Sequence, residues 1–99
     1  MRKVVYICMV FEFDPAKSAS NKLKHGIDFE EAQKLWLDSN RLTIPAKSAT
    51  EPRFAIVAEL DGKIWSAFYT IRGSVIRIIS VRSARDYEKR DYRNQELNS

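Results

Sequence analysis

The dipeptide Asp61-Gly62 separates two β-rich runs, Arg53 to Leu60 and Lys63 to Ile71. Asp-Gly is a favoured two-residue hairpin loop, because both positions tolerate the positive φ that matches strand twist. A third run, Ser74 to Arg82, follows a second turn dipeptide, Arg72-Gly73. The second half of the chain is thereby constrained to an antiparallel meander, and the remaining segments must cover its faces.

Two helices precede the meander. Asp14 is a suitable N-cap and Pro15 a suitable N1 residue, where the missing N–H costs nothing. Ala16, Ala19 and Leu23 form an apolar stripe, Lys22, Lys24 and His25 suit the C-terminal end of the dipole, and Gly26 supplies the stop. Asp28 and Glu31 then form a capping-box pair, with Phe29, Ala32, Leu35 and Trp36 as the buried stripe of a second helix. The two helices are expected to form a hairpin around Gly26. A first strand ends near Phe13, Arg41 to Pro45 is a short strand candidate, Lys47 to Pro52 is a polar loop, and a terminal helix runs from about Arg85 to Glu96. The expected class is α+β, with helices on one face of a three- or four-stranded meander and a helix at the C-terminus.

Two-residue loops set the register. Leu60 then pairs with Lys63, Ala58 with Trp65, Ile56 with Ala67 and Phe54 with Tyr69; in the next hairpin Tyr69 pairs with Ile76 and Ala67 with Ile78. One face is almost wholly apolar and seats the helices. The other carries Arg53, Val57, Ile64, Phe68, Thr70, Arg77, Ile79 and Val81. It sets Arg53 and Arg77 roughly 10 Å apart across the ladder, with Phe68 and Thr70 between. Guanidinium groups around an aromatic suit phosphate and base recognition. In this register Arg82 falls on the apolar face, so it lies beyond the sheet edge or a bulge re-aims it.

Charge points the same way. Seventeen Lys and Arg against thirteen Asp and Glu give +4 and a pI near 9.4. The segment Arg72 to Arg93 holds seven of the basic residues, including Arg72, Arg77, Arg82 and Arg85, against Asp86, Glu88 and Asp91. One cysteine, Cys8, and one histidine, His25, exclude an intrachain disulfide framework and Cys- or His-cluster metal centres. No apolar run reaches the roughly 18 residues needed to span a bilayer, and the N-terminus lacks the features of a secretory signal. The expected setting is a reducing cytoplasm, with no membrane partner. Against these readings stand simpler ones. His25 suits a surface histidine at a helix end, Arg77 and Arg82 suit solvated strand residues, Arg85 to Arg93 suits a solvated charge ladder with Asp86 opposite Arg90, and Trp36 and Trp65 suit the core. Residue chemistry alone reaches a basic α+β domain that binds nucleic acid or a partner.

Three stretches go further. They are Phe11-Glu12-Phe13-Asp14-Pro15-Ala16-Lys17, Asn21-Lys22-Leu23-Lys24-His25-Gly26-Ile27-Asp28-Phe29-Glu30-Glu31-Ala32, and Ile76-Arg77-Ile78-Ile79-Ser80-Val81-Arg82-Ser83-Ala84, followed by Glu88 and Tyr92. Together they resemble the BrnT family of type II toxins, over about Met9 to Tyr92. The resemblance implies a RelE-like fold: a small antiparallel sheet with two N-terminal helices packed on one face. It implies a ribonuclease that blocks translation and is neutralised by a BrnA-like antitoxin with a ribbon-helix-helix-like DNA-binding part. Two toxins and two antitoxins would assemble, and operator DNA would be bound only through the antitoxin. Residues 1–99 would then be one domain, with 1–8 an N-terminal extension and 93–99 a flexible tail.

A metal-free ribonuclease lets the RNA 2′-hydroxyl attack the adjacent phosphate. It needs a base, an acid and cations for the developing charge. Histidine is the side chain whose ordinary titration range suits this work near neutrality. The catalytic candidates are Lys24, His25, Arg53, Arg77, Arg82 and Glu88, with Glu30 as a further carboxylate; Phe68, Arg72 and Arg85 are candidates for RNA binding. No cofactor or metal is implied. An antitoxin is expected to cover the mixed face, at Val57, Ile64, Phe68, Ile79 and Val81, together with the terminal helix. The competing reading is a non-catalytic module whose basic face docks an antitoxin or nucleic acid.

Overall fold

The computed structural model describes the backbone of residues 2–6 and 9–97 and the side chains of 9–95. Six strands form one mixed sheet: β1 (Arg2–Tyr6), β2 (Met9–Phe13), β3 (Leu42–Ala46), β4 (Arg53–Leu60), β5 (Lys63–Arg72) and β6 (Val75–Ser83). Their order is β1-β2-β6-β5-β4-β3. The helices are α1 (Pro15–His25), α2 (Phe29–Ala32), which tightens into a 3₁₀ stretch over Gln33–Leu37, and α3 (Asp86–Leu97).

The expected antiparallel sheet is corrected at its N-terminal side. What reads as one first strand is a hairpin, β1–β2, and β2 runs parallel to β6, pairing Phe11 with Ile76 and Glu12 with Arg77. The helical crossover between β2 and the meander permits this, since parallel neighbours need a long connection. Residues 2–6 of the expected extension thus form the edge strand β1, while Met1, Ile7 and Cys8 lie outside the described residues. At the other end α3 continues to Leu97, through most of the expected tail; Asn98 and Ser99 lie outside the described residues.

The first turn is as its residues dictate. Asp61 and Gly62 have φ of 52° and 83°, and the β4–β5 pairs Phe54↔Tyr69 through Leu60↔Lys63 follow the expected register. The second turn falls on Gly73-Ser74, with Arg72 paired to Val75. Gly73 takes the positive φ of 61°, a conformation that would strain Arg72 one position earlier. The pairing therefore shifts by two residues, to Tyr69↔Ile78 and Thr70↔Arg77, which preserves the faces. A bulge then inserts Ile79, and Ser80 and Arg82 pair with Phe68 and Ser66. The bulge re-aims Arg82 to the face of Arg77 and sends Val81 to the core.

The core lies between the apolar sheet face and the α2–3₁₀ segment. Phe29, Ala32, Leu35 and Trp36 are buried there with Phe11, Ile56, Ala67 and Tyr69. Trp36 meets Phe11 and Tyr69 edge-on, at centroid distances of 5.1 and 5.2 Å. The Asp28–Glu31 capping box is complete. The stripe assigned to α1 is corrected. Ala16, Ala19 and Leu23 face solvent, Leu23 being 90% exposed, and the buried side chains are Ser18 and Asn21. The cause is the neighbour. Pairing of β2 with β6 spans only Val75 to Arg77, and α1 packs against β6. Asn21 Oδ1 accepts the Val81 amide at 3.1 Å, its Nδ2 donates to Ile27 O at 2.8 Å, and Ser18 Oγ accepts the Phe29 amide at 2.9 Å. A backbone amide left without a strand needs a polar partner, not an apolar stripe.

On the opposite face α3 buries Val57 and Ile64 in a small cluster with Ala84 and Tyr92, against which Leu42 packs. Of the apolar patch expected there, Val57 and Ile64 are covered by the chain's own helix and Val81 lies on the other side. Phe68 and Ile79 remain half-buried.

Candidate functional site

Beyond α3 the same sheet face holds the arginines. Arg77 pairs with Thr70 on β5 and faces Glu12 on β2, with Nη1 3.9 Å from Glu12 Oε1. Arg53 begins β4, whose entry is fixed by a 2.6 Å hydrogen bond from Thr70 Oγ1 to Pro52 O. Glu51 stands between Arg53 and Arg72, at 4.0 and 3.8 Å. These ion pairs are long and leave donor capacity unused. Among the described residues Arg53 Nε is buried with no hydrogen-bond partner.

Arg82 is held differently. Its Nη1 and Nη2 donate to Glu88 Oε1 and Oε2 at 2.7 and 3.0 Å, and its guanidinium lies 5.0 Å from the centroid of Phe68. Glu88 Oε1 also accepts from Ser66 Oγ at 3.0 Å and from the Arg85 amide at 2.8 Å. Glu88 is the third residue of α3, so the last contact is half of a capping box. Burial pushes its carboxyl up, but the hydrogen bonds from Arg82, the Arg85 amide and Ser66 outweigh it and hold the group below the ordinary carboxylate range. The hydrogen bond to Glu88 in turn raises Arg82. An anion with four donors is a poor proton acceptor. Glu88, a candidate for chemistry in the sequence, is placed to hold Arg82. Phe68, a candidate stacking surface, already has a guanidinium over its ring.

Lys24 and His25 stand at the exposed end of α1. They line a cleft of ≈ 220 Å³ with Lys17, Asn21, Ile79 and Ser80. Ser80 is directly opposite Phe68 in the ladder, so this cleft adjoins the Phe68–Arg82 pair. The sheet face thus gathers Arg53, Phe68, Arg77 and Arg82, with Arg72 at its end and Lys24 and His25 beside it. Arg85 contributes its amide to the Glu88 cap, and its side chain is exposed. Glu30 lies on the exposed first turn of α2. Glu12, Ser66 and Glu51 escaped the sequence reading. Glu12 needs the parallel β2–β6 pairing, Ser66 the bulge that brings it opposite Arg82, and Glu51 a loop conformation that no local pattern announces.

Among the described residues no group of three or more His, Cys, Asp or Glu side chains is placed to hold a metal ion. No helix among them is long and apolar enough to cross a membrane. The arrangement is an α+β domain with an arginine-rich sheet face and a lysine–histidine cleft at its edge.

The family model described as "Ribonuclease toxin, BrnT, of type II toxin-antitoxin system" matches residues 13–88, more than half of the chain. The chain belongs to this BrnT family of ribonuclease toxins, and membership implies an antitoxin partner. No curated protein matches the sequence.

Proposed function

We propose that this chain is a metal-independent endoribonuclease whose RNA cleavage inhibits translation and growth. The observation that carries the reading is the gathering of Arg53, Arg77 and Arg82 around Phe68 on one sheet face, beside the cleft of Lys24 and His25. The RNA 2′-hydroxyl loses its proton to a base and forms a bond from O2′ to phosphorus. The bond from phosphorus to O5′ breaks, and O5′ takes up a proton. The products carry a 2′,3′-cyclic phosphate and a 5′-hydroxyl. His25 supplies the proton transfer, as base or acid. Arg53, Arg77, Arg82 and Lys24 stabilise the charge that develops on the phosphoryl oxygens, a type of contact worth roughly 10²–10³ in rate per donor. Arg72 and Arg85 bind flanking phosphates.

The fold is read as RelE-like, with α1 and the α2–3₁₀ segment as its two N-terminal helices. The proposed partner is a BrnA-like antitoxin, in an assembly of two toxins and two antitoxins, with operator DNA bound through the antitoxin and the complex in the cytoplasm. The antitoxin occludes the arginine face together with the terminal helix α3, and so blocks access of RNA.

Purified chain, freed of antitoxin, is expected to cut RNA in EDTA. Cleavage abolished by EDTA and restored by magnesium contradicts the metal-independent mechanism. RNA bound but left intact supports the alternative, a non-catalytic binding module.

A further inference from the structure

A guanidinium has two bidentate edges, an end-on pair of Nη1 and Nη2 and a side-on pair of Nε and Nη2. In Arg82 the end-on edge is fully taken by the two oxygens of Glu88. The remaining Nη1 hydrogen serves Ser83 O at 3.2 Å, and Phe68 lies under the plane of the group. The half-exposed Tyr87 also reaches Arg82 through its side chain. Among the described residues, the hydrogen bonds located on named atoms of Arg82 all fall on Nη1 and Nη2.

Glu88 itself has little freedom. It is buried, its Oε1 is tied to Ser66 on β5 and to the amide that precedes α3, and α3 is pinned to the body by the 2.5 Å hydrogen bond from Tyr92 to Asp38. The guanidinium stands between this carboxylate and whatever approaches the open sheet face. A carboxylate in this place is an orienting anion, and a phosphate can bind on the other edge without displacing it.

We infer that Glu88 is a positioning residue that locks Arg82 on Phe68 with its Nε/Nη2 edge presented to a backbone phosphate of RNA. The inference rests on the ribonuclease reading and deepens it: Glu88 acts through Arg82 and exchanges no proton. A lysine at position 82 cannot replace the arginine, because a single ammonium does not offer two coplanar edges.

The test is binding of a short RNA oligonucleotide with every 2′-hydroxyl methylated, which separates binding from cleavage. Fluorescence anisotropy is followed as a function of salt, for the wild type and the variants Glu88→Gln, Arg82→Ala, Arg82→Lys and the double variant Glu88→Gln/Arg82→Ala. Each single variant is expected to weaken binding by about 10-fold, as loss of one bidentate contact does. The double variant should be no weaker than Arg82→Ala. In Arg82→Ala and the double variant the slope of log affinity against log salt should fall by about 0.7, the loss of one phosphate contact to a single strand. Circular dichroism selects the variants that keep the native fold, and Arg82→Lys, which retains the positive charge beside Glu88, keeps the test open if Glu88→Gln does not fold. Wild-type affinity in a folded Glu88→Gln or Arg82→Lys variant overturns the inference while leaving the ribonuclease reading intact. Failure of the wild type to bind the oligonucleotide overturns both.

Discussion

Asn21 Oδ1 accepts the amide hydrogen of Val81 at 3.1 Å, across 60 residues of sequence. The side chain of a helix thereby takes the place of a neighbouring strand along β6. The same amide group ties Ile27 O into the turn between α1 and α2. One buried residue joins the helix, its C-terminal turn and the strand that carries Arg77 and Arg82.

Asn21→Ala is therefore expected to destabilise the fold by about 2 kcal/mol, because it leaves a buried N–H and a buried carbonyl without partners. Urea unfolding should show a lower midpoint at an unchanged slope. Ala19→Ser, at an exposed position on the same helix, should lie within about 0.5 kcal/mol of the wild type.

Acid should weaken the structure through Asp38. Burial pushes this carboxyl up, but hydrogen bonds from the Glu59 amide, the Tyr92 hydroxyl and the Asn40 amide prevail and leave it below its ordinary value. A depressed carboxyl contributes stability that is fully present above the unfolded value of about 3.9. That stability is lost as the pH falls from there through the folded value. Glu88 acts in the same sense. Unfolding midpoints measured between pH 6 and 2.5 should fall most steeply below pH 4, and Asp38→Asn should flatten the fall. An unchanged acid profile in that variant counts against the assignment.

Arg77 and His25 should separate cleanly from folding. Arg77 is only loosely paired with Glu12 and His25 is exposed. Alanine at either position should keep the native circular dichroism spectrum. Arg77→Ala should lower the rate of RNA cleavage by about 10²–10³, the loss of one donor to developing negative charge. His25→Ala should lower the rate of RNA cleavage by about 10²–10⁴, the loss of one general acid or base. Full growth inhibition by either folded variant at matched expression contradicts the roles given to them.

Local chemistry explains what was legible in the sequence. Asp61-Gly62 fixed one hairpin to the residue, and the Asp28–Glu31 pair marked the start of α2, because both depend on residues a few positions apart. Arg53 and Arg77 share a face in either register, because a shift of two residues preserves alternation. Arg82 required the bulge at Ile79, which no turn residue announces. The buried face of α1 escapes an apolar-stripe reading because it meets bare backbone amides, Val81 on the edge of β6 and Phe29 at the start of α2, which reward Asn21 and Ser18 over Ala19 and Leu23. The burial of Val57 and Ile64 under α3 was hidden for a related reason. That helix has a weak apolar stripe and is held by Tyr92, Ala84 and the polar contacts of Glu88.

The most direct measurement is the chemistry of the cut ends. A defined RNA oligonucleotide is incubated with purified, antitoxin-free chain in EDTA, and the fragments are analysed by mass spectrometry. The mechanism requires a 2′,3′-cyclic phosphate on the upstream fragment and a 5′-hydroxyl on the downstream one. A substrate with a single 2′-deoxy sugar at the mapped position should resist cleavage there. A 5′-phosphate on the downstream fragment, or cleavage of the 2′-deoxy substrate at the same position, would mean that water rather than the 2′-hydroxyl attacks, and would contradict the account.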